Sequence, residues 1–233
     1  MAAIELASTP LFSDSNLQAY WKLENVNDSG PNAYTLTNVN SVAFNAGKFN
    51  NGGDSGASNS TKLLNVASNV GIDGGAVTMN LWFNSYATTF TGDHPALFCT
   101  FYYGGKAIDY RIGINTTGIF AARLKSAVAW QETAATAISA STWYMATLTY
   151  DTTNLKLYLN GVLKDSIAAS GDGIITGGYT TGTSFLSGAL DPTRIYTSAI
   201  VDDASIFSRA LTAQEISNLY SGTWSSGNFF LFL

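Results

Sequence analysis

The stretch YDTTNLKLYLNGVL, residues 150–163, constrains the chain more than any other part of it. Leu155, Leu157 and Leu159 alternate with Lys156, Tyr158 and Asn160, the period of two in which successive side chains leave opposite faces of a strand. Asn160 and Gly161 both tolerate positive φ, which a two-residue type I′ turn demands, so Val162 and Leu163 begin a return strand. The same period recurs in AVTMNLWFN (76–84), where Val77, Met79, Leu81 and Phe83 oppose Thr78, Asn80, Trp82 and Asn84. Further short runs, NLQAYWKLE, TKLLNV, PALFCTFYY, DYRIGIN, GIFAARL, AVAWQET, STWYMATLTY, TSFLSGAL, TRIYT and AIVDDASIF, are separated by Gly, Asn, Ser and Thr. NNGGDSGASNS reads as a loop. Many short strands punctuated this way predict an antiparallel sandwich or barrel.

One helix is expected. Thr212 is a natural N-cap, Glu215 three residues on completes a capping box, and Ile216, Leu219 and Tyr220 give one apolar face before Gly222. At 233 residues the chain is long enough to bury roughly 70% of its unfolded surface without a disulfide or metal staple. Charged residues make up only 12% of it, against a usual ~25%. Gly, Ser, Thr and Asn take their place, as on extracellular β-rich surfaces. The net charge of −5 and the scattered Lys and Arg argue against a nucleic-acid partner. Cys99, the one cysteine, reads as a buried strand thiol.

The order of the blocks carries a resemblance. AYWKLEN…DSGPN comes first, then AGKFNNGGD, GAVTMNLWFN, STWYMATLTYDTTNLKLYLNGVL and finally VDDASIFSRALTAQEISNLYSG. This series resembles the laminin-G-like branch of the concanavalin A-like lectin/glucanase superfamily over residues 17–223. The resemblance implies an all-β, two-sheet antiparallel jelly roll with one concave and one convex sheet and a short C-terminal helix. Residues 1–16 are then an N-terminal arm and 224–233 an apolar tail. That superfamily holds lectins, glycosidases, protein-binding modules and virion components, so function has to come from residues.

An enzyme is not expected. Glycoside hydrolysis generally needs two carboxylates across the scissile bond, and no Asp or Glu pair stands at i, i+2 anywhere in the chain. Asp202 and Asp203 are adjacent, and in a regular strand they would face opposite ways. His94 is the only histidine, without a supporting triad signature, and one His with one Cys cannot build a His-rich zinc site. A glycosidase whose carboxylates meet from distant strands is the minor alternative.

The leading reading is a non-catalytic module that binds a glycan or cell-surface polysaccharide. Sugars are held by aromatic rings stacked on their C–H faces and by polar groups bonded to their hydroxyls. The candidates are Trp82, Tyr86, His94, Tyr102, Tyr103, Tyr110, Arg111, Trp130 and Tyr179. Trp82 faces away from the Val/Met/Leu/Phe core set, toward the concave face, where it is either open to a ligand or buried under covering loops. Trp21 and Trp143 read as core. The resemblance also implies Ca²⁺, held through Asp28, Asp54, Asp202 or Asp203, although Asp28 equally suits an Asx turn and Asp202 a buried hydrogen-bonded acid.

No stretch is a secretory signal and none approaches the ~18–20 apolar residues of a membrane span. A polar, extracellular-type surface without such a signal points to a virion component made inside a host cell, with a secreted or cell-surface protein as the alternative. The apolar ends, including NFFLFL, would then dock on virion subunits or on further copies of the chain, or NFFLFL would be an edge strand. A structural or assembly protein using the jelly roll without a sugar site is the main alternative.

Overall fold

A computed structural model describes residues 3–59, 61–68, 70–72, 75–91, 95–102, 108–126, 129–169, 181–187 and 196–224. Its strands are β1 (Leu17–Trp21), β2 (Thr37–Val39), β3 (Ala43–Ala46), β4 (Asn51–Asp54), β5 (Leu63–Val66), β6 (Val77–Ser85), β7 (Phe98–Tyr102) and β8 (Ile108–Ile114). They continue with β9 (Ile119–Ser126), β10 (Ala129–Glu132), β11 (Trp143–Tyr150), β12 (Asn154–Leu159), β13 (Val162–Ala168), β14 (Thr181–Phe185) and β15 (Ala199–Phe207). One α-helix, α1 (Ala213–Ser221), follows. The strands form two antiparallel sheets. The first runs β13-β12-β11-β6-β15-β4-β3 with β1 also on β15, and the second β10-β9-β8-β7-β14-β5-β2. This is the two-sheet jelly-roll sandwich expected from the sequence. No described helix is long and apolar enough to cross a membrane.

Alternation decides what lies between the sheets. Val77, Met79, Leu81 and Phe83 of β6 point inward, with Leu148 of β11 and Leu155 and Leu157 of β12. From the second sheet, Leu64, Phe185, Phe98, Ile112 and Ala121 stand in one cross-strand row and enter the same core. Phe98 and Phe185 stack at 4.5 Å between ring centroids, and Trp21 meets both edge-on. Each such side chain contributes roughly 1.5–3 kcal/mol on burial. Asn160 and Gly161 close the β12–β13 hairpin with φ of 54° and 77°, the backbone that a type I′ turn needs. Thr212 and Glu215 form the reciprocal capping box, and Gly222 ends α1 in the left-handed region.

Two local expectations change. NNGG is not a loop: Asn51–Asp54 pair with both β3 and β15. Glycine suits this strand because a Cβ on Gly52 would come within 2.8 Å of the Val201 carbonyl oxygen. Asp202 and Asp203 do not face opposite ways in a regular strand either. The register of β15 against β6 slips between Asp202 and Ser205, and Asp203 has φ of 46°, which makes a β-bulge. Before the bulge β15 pairs with β4, and after it with β1.

The outer face of the first sheet is closed by a second apolar layer. Residues 3–16, read above as an arm, lie there as two 3₁₀ turns, Leu6–Ser8 and Pro10–Ser13. Leu6 and Leu11 from this segment and Ile216 and Leu219 from α1 bury against Trp82, Met145, Tyr158 and Phe207 of the sheet. Arg209 ties the two covers together. Its Nε and Nη2 donate to Asp14 Oδ2, and its two Nη groups donate to the two Glu215 carboxylate oxygens at 2.9 and 2.6 Å.

Candidate functional site

The outer face of the second sheet is organised differently. One row outward of the core row, the paired positions read Thr37, Asn65, Ser184, Cys99, Arg111, Ala122 and Glu132, across all seven strands. These residues are polar or small where the neighbouring row is apolar. Arg111 is the centre of chemistry. Its side chain is only 2% exposed, and Nη2 donates to Glu132 Oε1 at 2.7 Å, while the Glu132 side chain is 42% exposed. The guanidinium carbon stands 4.6 Å from the Trp130 ring centroid and 4.9 Å from that of Phe120.

The local cause is the register. Trp130 and Glu132 are two residues apart on β10 and share a face, and pairing of Glu132 to Ala122 and of Ala122 to Arg111 sets all three in line. Ala122 is too small to separate the acid from the guanidinium. The result is a half-buried indole backed by a buried guanidinium, beside a carboxylate that reaches solvent. Such a set can stack on an apolar ring face and accept from a hydroxyl.

Of the residues singled out from the sequence, Arg111 and Trp130 are thus brought together. Glu132 and Phe120 complete the group and were not singled out; the alternation of Trp130 and Glu132 in AWQE was the available signal. Tyr110, next to Arg111 in the chain, points the other way. It is buried in the core, its ring 6.0 Å from that of Tyr150. Arg123 also faces inward, its guanidinium carbon 4.1 Å from the Tyr150 ring centroid and Nη1 donating to Gln131. Tyr102 is the last residue of β7, opposite Thr181. His94, Tyr103 and Tyr179 lie outside the described residues. Cys99 is buried, its Sγ 3.1 Å from Ser184 Oγ, in keeping with a packed strand thiol.

Trp82 and Tyr86 belong to the first sheet. Trp82 is 1% exposed, stacked by Tyr220, met edge-on by Phe49 and overlaid by the Lys48 ammonium. The layer formed by residues 3–16 and α1 makes this face a second core, so the ring is taken up by packing. Tyr86 donates from its hydroxyl to Asp54 Oδ1 at 3.0 Å. Burial, then the Asp54 bond, push its phenol up to about 12.

The four aspartates weighed for calcium do not fit that ion as they stand. Asp28 accepts from the N–H groups of Tyr20, Gly30 and Tyr34, pinning the 28–34 loop to β1. Asp54 accepts from Gly56 N–H, Tyr86 and Asn45. Asp202 Oδ2 accepts from Lys48 and Phe49 N–H at 2.7 and 2.8 Å. Asp203 accepts from Leu6 N–H and from the Tyr20 hydroxyl. A cation needs oxygens turned toward it, whereas these are turned to donors. Among the described residues no three His, Cys, Asp or Glu side chains gather into a group that could hold a metal.

The bulge carboxylates are instead anchors. Burial raises Asp202 to about 8, the neighbouring Asp203 charge adding to it and the Phe49 and Lys48 N–H bonds opposing it. Burial likewise raises Asp203 to about 7, against the bonds from Tyr20 and Leu6. Asp202 holds the turn between β3 and β4, and Asp203 holds the N-terminal segment.

Comparison with known proteins meets this geometry. The family described as the concanavalin A-like lectin/glucanases superfamily, of laminin-G type, matches residues 51–217. The chain belongs to that superfamily. No curated protein matches it. Among solved structures it is similar to domain 4 of AbnA, a GH43 extracellular arabinanase from Geobacillus stearothermophilus, in complex with arabinotriose. The TM-score is 0.68 at 16% identity, covering 88% of this chain and 98% of that one. It is also similar to the binding domain of botulinum neurotoxin DC in complex with SialylT, with a TM-score of 0.65 at 15% identity, over 89% of this chain and 52% of that one. The same neurotoxin domain in complex with rat synaptotagmin II gives 0.64 at 13% identity, over 89% and 51%. The superfamily member described here spans about half the length of the neurotoxin domains. At these identities the likeness is one of fold.

Proposed function

We propose that the protein is a non-catalytic glycan-binding module whose binding surface is the outer face of the second sheet around Arg111, Trp130 and Glu132. The observation that carries this is the Arg111–Trp130–Glu132 group, an aromatic ring backed by a buried cation with a solvent-reaching carboxylate beside it. On the outer face of the first sheet, by contrast, Trp82 and Tyr158 are packed under residues 3–16 and α1. Two structural neighbours support the class of ligand: the arabinanase domain is in complex with arabinotriose, and cell entry of botulinum neurotoxin type C is dependent upon interaction with two ganglioside molecules. The second sheet's described acids also favour binding over hydrolysis. Glu132 is committed to Arg111.

A glycan array with arabinan, sialylated and neutral bacterial polysaccharide fragments tests the reading. Binding to at least one neutral or acidic glycan is expected, unchanged by EDTA. A folded protein that binds none of them would overturn it.

A further inference from the structure

A second site lies on the opposite side of the molecule. A cavity of about 360 Å³ opens between residue 3, the turn after β3 and the end of α1, lined by Ala3, Lys48, Trp82, Tyr220 and Ser221. The one charged side chain in its lining is Lys48. The Lys48 ammonium stands 4.5 Å from the Trp82 ring centroid. Among the described residues no carboxylate pairs with it; Asp202 takes the Lys48 backbone N–H instead.

The sheet below repeats the imbalance. Trp82 Nε1 is buried without an acceptor, and so are Asn80 Nδ2, two residues along the same face of β6, and Ser205 Oγ directly across from Asn80 on β15. A buried donor left unpaired costs ~1–3 kcal/mol, and native interiors leave few of them. Of these groups only Trp82 lines the cavity, so a ligand there is the one that can meet its indole.

Charge narrows the class. Tyr220 and Ser221 are at the C-terminal end of α1, where the helix carries roughly −0.5 of an elementary charge. Against the Lys48 ammonium this leaves a fraction of one positive charge, which suits a monoanion and disfavours a dianion such as a phosphate monoester. We propose that this cavity binds a small carboxylate-bearing ring, of the hexuronate type, with its carboxylate on Lys48 and its ring beside Trp82 and Tyr220. The site is independent of the Arg111–Trp130–Glu132 group.

The test follows the Trp82 indole N–H in ¹H–¹⁵N spectra of the intact chain, its resonance assigned through contacts with Tyr220. Sodium glucuronate should shift it saturably, glucose should not, and glucose 6-phosphate should bind more weakly than glucuronate. Lys48→Gln should weaken glucuronate by about tenfold in protein that still melts cooperatively, and Lys48→Arg should restore most of it. No movement of the Trp82 resonance with glucuronate, an equal response to glucose, tighter binding of glucose 6-phosphate, or undiminished affinity in Lys48→Gln would each overturn the proposal.

Discussion

The guanidinium of Arg111 lies 4.6 Å from the centre of the Trp130 ring and donates to Glu132 on the same strand as that tryptophan. An exposed acid thereby reaches a buried base, and an indole screens the contact from water. Hydrogen bonds to charged groups contribute ~1.5–3 kcal/mol. Glu132→Ala should therefore lower unfolding free energy by about 2 kcal/mol, whereas Glu132→Gln should lose roughly half as much, both read by urea denaturation. A Glu132→Ala protein as stable as the parent would mean the pair is a surface contact of no consequence.

Trp130 is only half-buried, so its removal separates binding from folding. Trp130→Ala should cost about 1 kcal/mol through the lost cation–π contact and weaken glycan binding by about tenfold or more, while Trp130→Phe keeps most of both. Calorimetric titration with the best glycan from the array gives the affinity, and thermal melting gives the stability. Unaltered affinity in Trp130→Ala would remove the residue from the site.

Arg209 joins Asp14 of the N-terminal segment to Glu215 of α1. Arg209→Ala should destabilise the protein by about 2–3 kcal/mol, the value of charge-assisted bonds in a partly covered network. It should also make residues 3–16 more sensitive to proteolysis than the β12–β13 hairpin. Limited proteolysis with mass mapping checks this, and equal cleavage of parent and variant would argue against a tie.

The bulge carboxylates set the pH dependence between the ordinary aspartate range and about pH 8. Both have folded-state values raised by burial, so the native state holds protons that the unfolded chain releases. Stability from this source is full below the ordinary aspartate range and is lost as pH rises toward about 8, the value for Asp202. Glu215 works the other way. The Arg209 bond lowers it, so its contribution is present above the ordinary glutamate range and lost as pH falls through its folded value. Tm should decline from pH 5 to pH 8, a window set by the raised aspartates, and Asp202→Asn should flatten that decline. A Tm that rises over the same interval would contradict it.

Much of the fold was legible because period-two alternation and turn chemistry are local. Leu155, Leu157 and Leu159 face the core as their spacing required, and Thr212 with Glu215 cap the helix that they were expected to start. What local pattern does not contain is register and cover. Trp82 alternates out of the core in the sequence, yet residues far away in the chain, Phe49 and Tyr220, close over it. Gly52 and Gly53 look like loop residues until β15 is found pressed against them. Asp202 and Asp203 share a side only because a bulge interrupts a strand that reads as regular. Arg111 and Trp130 were visible as single candidates. Glu132 joined them only once three strands were in register.

Chemical-shift mapping of an ¹⁵N-labelled sample with a neutral oligosaccharide chosen from the array tests the central claim most directly. The expected result is saturable shifts in the backbone amides of β8, β9 and β10 around Arg111, Ala122 and Glu132, and in the Trp130 indole, with the first sheet unmoved. Shifts confined to the first sheet or to α1, or no shift with any glycan, would contradict it.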